Sequence, residues 1–162
     1  MSFGANPPPF NELGLDRIKR MVDRAEKFDI NIAFENLRRP DYLEHIFTRI
    51  DSPYAGFCYD SGHENLFPAR FDLLTEYGSR LSALHLHDNN GLRNYDGTDD
   101  QHLIPFDGNI DWKNIVEKIR KTPYKGPVSL EVMNRGRENL KPEEFLRLLY
   151  ERGERLREWF NS

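Results

Sequence analysis

The spacing of apolar residues changes along the chain, and each change predicts an element. From about Leu13 to Phe28, Leu15, Ile18, Val22 and Ala25 recur at intervals of three and four with charges between them, the pattern of an amphipathic helix. Ile30 to Phe34 is short and nearly apolar, so it reads as a buried strand, and Glu35-Asn36 follow where that strand would emerge. A helix is expected from about Pro40, with Tyr42, Leu43, Ile46, Phe47 and Ile50 on its apolar side. The pattern then repeats: strand Ala55 to Tyr59, helix Phe71 to Tyr77, strand Leu81 to Leu86, and a helix marked by Trp112, Ile115, Val116 and Ile119 with Asp111 as N-cap. A fourth strand, Val128 to Leu130, precedes a last helix from Phe145 to Phe160, opened by Pro142-Glu143-Glu144. The sum is a leading helix and four strand-helix units, an α/β fold whose parallel sheet has right-handed crossovers.

At 162 residues the chain is long enough for one domain with a real core, taken as residues 1–162 with residues 1–10 as an N-terminal arm around Pro7-Pro8-Pro9. The net charge is −4 and the basic residues are scattered, which argues against a nucleic-acid partner or a membrane surface. Arg17, Lys19, Arg20 and Lys27 are interleaved with acids and read as a solvated helix face. Cys58 is the only cysteine, so neither an intrachain disulfide nor a Cys-rich zinc module is possible. With no signal peptide and no apolar run of spanning length, the expected home is the cytoplasm.

Chemistry in parallel α/β folds gathers at the carboxyl ends of the strands. Here those ends supply Glu35, Asp60, His63, His85, His87, Asp88 and Glu131 to one face. The loop from Asn89 to Asp111 adds Asp100 and His102, and loops of that length are commonly functional. Acids forced together raise one another's pKa, a cost that a bound cation removes. Glu35, Asp60, His85 and Glu131 offer three oxygens and one nitrogen, a set for Mn²⁺, Mg²⁺, Co²⁺ or Zn²⁺ and not for a soft metal. Strand alternation puts His85 and His87 on the same side, and Asp88 is expected to orient a histidine. Cys58, Trp112 and Trp159 read as core, His45 as surface, and Arg135 and Arg137 as a solvated loop.

The runs Ala33-Phe34-Glu35-Asn36-Leu37, Cys58-Tyr59-Asp60-Ser61-Gly62-His63, His85-Leu86-His87-Asp88-Asn89, Asp100-Gln101-His102-Leu103-Ile104-Pro105 and Leu130-Glu131 together resemble the sugar phosphate isomerase/epimerase family. This is the xylose isomerase-like (β/α)8 superfamily, which also holds endonuclease IV-type enzymes. The resemblance runs from about Asn6 onward and implies the C-terminal half of a TIM-type barrel. It implies one divalent metal held by Glu35, Asp60, His85 and Glu131, with the two glutamates also moving a proton on opposite faces of a metal-bound ketose. His63 is expected to touch substrate or a second metal, and His87, His102 and Asp100 to line the substrate site. Where ketose epimerases place an arginine six residues after the metal histidine, this chain has Gly91, with Arg93 nearest.

The resulting expectation is a divalent-metal-dependent isomerase or epimerase of a small sugar or sugar phosphate. Two rivals are an inert half barrel that retains metal ligands and an endonuclease IV-like phosphodiesterase, whose extra Asp-x-His pair Asp100 and His102 would match. A half barrel leaves two sheet edges open, so a homodimer or a separate N-terminal half is the expected partner.

Overall fold

The structure, a computed structural model, describes residues 9–94 and 98–161. Helix α1, Glu12–Glu26, starts where the side chain of Asn11 accepts the Gly14 amide at 2.8 Å, and it buries Leu15, Val22 and Ala25. Three parallel strands follow in sheet order: β1 (Ile32–Glu35), β2 (Ala55–Asp60) and β3 (Leu81–His85). Between them lie α2 (Asp41–Phe47), α3 (Ser61–Leu66) and α4 (Leu73–Tyr77), and after β3 come α5 (Trp112–Arg120) and α6 (Pro142–Asn161). The arm predicted at residues 1–10 lies outside the described residues except for Pro9 and Phe10.

Register decides what the strand ends present. Glu35 pairs with Cys58, and Asp60 pairs with His85, so the polar ends of all three strands arrive at one rim. Strand β2 is buried along its whole length, as expected of a central parallel strand covered on both faces. Its Phe57 and Tyr59 pack with Leu43, Leu73, Leu84, Trp112, Val116 and Leu156 in the main core. Burying each large apolar side chain of this kind contributes about 1.5–3 kcal/mol, which is why the rim is held by a rigid base. A smaller core joins Leu15 and Val22 of α1 to Ile46, Ile50 and Ala55.

The predicted fourth strand forms only in part. Leu130 makes one isolated parallel bridge to Leu86, through Leu86 N–H to Ser129 O at 3.0 Å and Glu131 N–H to Leu86 O at 3.1 Å. Beyond Leu86 the partner backbone has turned away, because the Asp88 N–H and C=O are exchanged with Leu103 of the following loop. The outcome is a partial barrel of three parallel strands with helices. Helix α6 begins at Pro142, within the Pro142-Glu143-Glu144 opening expected of it, whereas α3, which periodicity did not announce, opens directly from β2 because Asp60 caps it. The Asp111 cap of α5 is present, accepting the Asn114 amide at 3.2 Å.

Candidate metal centre

Asp60 is fully buried and its two oxygens are unequally served. Oδ1 accepts the His63 amide at 2.7 Å and lies 3.0 Å from His87 Nε2, whereas buried Oδ2 has no hydrogen-bond partner. Around it the strand ends converge. Nδ1 of His85 stands 2.9 Å from Glu131 Oε2 and 3.4 Å from Glu35 Oε2, and Nδ1 of His63 stands 2.9 Å from Glu35 Oε1 and 3.4 Å from Asp60 Oδ2. Glu35, Asp60, His85 and Glu131 each offer a ligand atom, and these atoms lie within 4.8 Å of one another.

Nδ1 of His63 and of His85 are also without a hydrogen bond, despite their closeness to carboxylate oxygens. Ligands about 2.1 Å from a shared ion would stand about 3.0 Å apart in an octahedron and about 3.4 Å apart in a tetrahedron. The spacings of His85 Nδ1 from Glu131 and from Glu35, 2.9 and 3.4 Å, fall on those edges. Orphaned donor atoms at such distances fit a divalent cation held among them better than an ion-pair network, which would aim N–H bonds at oxygens.

A second group lies deeper. His63, His87, Asp100 and His102 also bring ligand atoms within 4.8 Å of one another. Nε2 of His63 is 3.6 Å from Asp100 Oδ2, and Nε2 of His102 is 3.3 Å from Asp100 Oδ1. His102 Nδ1 lies 2.9 Å from the Glu131 carbonyl oxygen, which can only accept, so Nδ1 carries the proton and Nε2 faces the cluster. The His102 backbone sits in the left-handed region at φ 48°, a strained state for histidine that the loop maintains.

Electrostatics match the geometry. Burial alone would lower the pKa of His63, but Asp100, Glu35 and Asp60 outweigh it and hold the ring at about 10. Burial likewise opposes ionisation of Asp60 and Asp100, and the facing histidines still pull both below the ordinary carboxylate range. Asp100 pulls His102 upward. The thiol of Cys58, close to Glu35 and His85, is pushed up to about 12 by burial and by nearby carboxylates, so it remains a neutral core group.

Of the residues expected at the site, Glu35, Asp60, His85 and Glu131 come together in one group, and His63, His87, Asp100 and His102 in the other. Asp88 departs from expectation, because it orients no histidine. Its carboxylate accepts the Asn89, Phe106 and Ile110 amides and Trp112 Nε1, tying the long loop to α5. Gly108 packs so closely that a Cβ there would come within 2.2 Å of Asp88 Oδ1. His45 is at the surface but partly covered, with its ring against Phe10 at 3.3 Å between centroids. Arg135 donates to the Asp100 carbonyl at 2.7 Å and Arg137 to Asp107 at 2.9 Å, so both brace the loop. Asn36 was missed: it exchanges two hydrogen bonds with the Asp60 backbone, and its place beside Glu35 was the only signal.

A parallel partial barrel with acids and histidines at its carboxyl rim defines a TIM-type α/β protein. The sequence profile of xylose isomerase-like TIM barrels matches residues 4–152, and the chain belongs to that family. The chain is similar to the uncharacterized protein y4fM of Sinorhizobium fredii, 39% identical over 110 residues covering 64% of this chain and 33% of that protein. It is also similar to the uncharacterized protein MJ1311 of Methanocaldococcus jannaschii, 33% identical over 141 residues covering 80% and 46%. The chain thus spans between a third and a half of the length of these relatives. Among solved structures, a D-tagatose 3-epimerase-like protein superimposes with TM-score 0.64 at 25% identity, over 91% of this chain and 62% of that one. The IolI protein with a bound zinc atom has the same fold, with TM-score 0.78 at 18% identity over 96% and 60%. So does a xylose isomerase domain protein of Alicyclobacillus acidocaldarius, with TM-score 0.75 at 20% identity over 96% and 63%.

Proposed function

We propose that this chain carries the metal-binding half of a divalent-metal-dependent isomerase or epimerase acting on a small sugar or sugar phosphate. The observation that carries the reading is the convergence of Glu35, Asp60, His85 and Glu131, with Asp60 Oδ2 and His85 Nδ1 buried and unpartnered at its centre. A zinc atom bound in the similar IolI structure and the epimerase-like neighbour support it. The four residues would hold one Mn²⁺, Zn²⁺, Co²⁺ or Mg²⁺, and the bound ion would polarise a substrate carbonyl and the adjacent hydroxyl.

Glu35 and Glu131 come to His85 from different elements, the end of β1 and the segment after Leu130. A ketose seated between them meets a carboxylate on each side, so one glutamate takes the proton from carbon and the other returns it. His63, His102 and Asp100 stand beside this group, where a ring N–H of His63 would donate to a substrate oxygen, while His87, expected to touch substrate, is fully buried behind them. Strand β1 pairs only with β2 among the described residues, and Phe28, Ile30 and Leu37 stand exposed near this edge. In this reading a second copy of the chain, or the N-terminal half of the barrel, covers it. No helix among the described residues is long and apolar enough to cross a membrane, and the cytoplasm is the proposed compartment.

The test is proton exchange in D₂O. The metal-loaded protein is incubated with ketoses and their phosphates, and deuterium uptake at the carbon beside the carbonyl is followed by NMR. Metal-dependent exchange that Glu131→Gln abolishes supports the reading. Metal binding without exchange on any ketose overturns it.

The second cluster favours one alternative. Asp100 and His102 form a further potential ion site with His63, as a multi-metal phosphodiesterase would need. Cleavage of DNA containing abasic sites, lost on Asp100→Asn, would select that alternative.

A further inference from the structure

His87 is fully buried, and solvent reaches neither of its ring nitrogens. Its backbone is clamped from one side: the His87 amide donates to Ser61 Oγ at 3.0 Å, and that hydroxyl donates back to the His87 carbonyl at 2.8 Å. One ring face stacks on His102 at 3.9 Å and 10°. The ring edge fills the space above Gly62, where a Cβ would come within 1.9 Å of Cε1, 2.4 Å of Nδ1 and 2.5 Å of Nε2. The imidazole can therefore lie where it does only because residue 62 has no side chain. What the locked ring touches is Asp60 Oδ1, 3.0 Å from Nε2, a packing contact in which neither ring nitrogen makes a hydrogen bond.

A carboxylate is planar and turns about its last torsion in a broad, two-fold well, so a contact that narrows the freedom of Oδ1 also sets where Oδ2 points. We propose that His87, seated over Gly62, is a positioning residue that holds Asp60 Oδ1 so that Oδ2 faces the cation bound by Glu35, Asp60, His85 and Glu131. The inference rests on the metal-site reading above and adds that ligand geometry is set by a ring outside the ligand set. Groups that orient a ligand in this way typically change metal affinity by about 10- to 100-fold when removed.

The experiment is a Co²⁺ titration of the metal-stripped chain, read by its visible ligand-field bands, with bound ions counted by non-denaturing mass spectrometry. Circular dichroism and melting first establish that each variant is folded. His87→Leu should weaken cobalt binding by about 10- to 100-fold and alter the band shape. His87→Gln, whose amide can restore a donor near Nε2, should recover most of the affinity. Gly62→Ala should weaken binding although every ligand and His87 itself are retained; this variant and His87→Gln decide the matter if His87→Leu does not fold. Wild-type affinity and spectrum in Gly62→Ala together with either folded His87 variant would overturn the proposal. Loss of one of two ions with the bands of the other unchanged would overturn it too, because His87 would then be a ligand of the deeper cluster. A wild-type chain that takes up no cobalt would overturn the metal-site reading itself.

Discussion

Asp60 and Asp88 are both fully buried aspartates at strand ends of the same rim, and they have opposite surroundings. Asp88 accepts four N–H donors spread over its two oxygens, three of them backbone amides of the loop that follows β3. Asp60 accepts one backbone amide on Oδ1, while Oδ2 is buried 3.4 Å from His63 Nδ1 without a hydrogen bond. The first carboxylate is consumed by the fold. The second keeps a lone pair available, and the fold accepts the cost of burying it. A buried acid whose oxygens are saturated by fixed donors is a structural strut, whereas one left half-satisfied beside other orphaned ligand atoms marks a binding centre.

The largest effect should come from removing the strut. Asp88→Ala leaves the Asn89, Phe106 and Ile110 amides and the Trp112 indole N–H without their acceptor. Each buried orphan costs about 1–3 kcal/mol, so a loss of about 4 kcal/mol or more is expected in urea denaturation of the metal-free chain. A loss below about 1 kcal/mol would mean that the loop does not depend on Asp88, and the contrast with Asp60 would fail.

Asp60→Asn should invert that result. The amide oxygen keeps the cap on α3, so metal-free stability should fall by less than for Asp88→Ala. In the wild type, an ion at about 100 times its dissociation constant adds about 2.7 kcal/mol of stability, and that increment should vanish in Asp60→Asn. Thermal melts with and without Zn²⁺ measure both quantities. A variant that still gains stability from zinc would place the ion elsewhere.

The same contrast explains what could be read from the chain without coordinates. Strand ends were legible because short apolar runs stop at Glu35, Asp60 and His85, and parallel pairing carries those stops to one rim. Asp60 was already set apart from Asp88 as a ligand, but the partners of Asp88 were not legible. Both are single aspartates beside histidines in sequence, and only tertiary packing brings Phe106, Ile110 and Trp112 to one of them. Helix α3 was hidden because it is six residues long and starts from a cap that reads equally well as a turn. The segment 128–130 has strand-like residues, but its partner strand ends after Leu86, a tertiary limit that local propensity does not report. The pairing of Asp100 with His63 joins a loop to a helix 37 positions earlier, which no local period encodes.

The smallest stability effect sharpens the contrast most. Glu131 is 47% exposed at its side chain and follows a one-residue bridge, so its carboxylate contributes little to holding the fold. Glu131→Gln should therefore change metal-free stability by no more than about 0.5 kcal/mol, the usual range for surface positions. The same substitution removes one charged oxygen from the candidate ion site, so zinc affinity, measured by calorimetry, should drop by at least about 10-fold. A residue nearly silent in folding and strongly felt in binding belongs with Asp60. Were Glu131→Gln to lower stability by several kcal/mol while leaving zinc affinity intact, Glu131 would belong with Asp88, and the rim would lose one of the four ligands that define it.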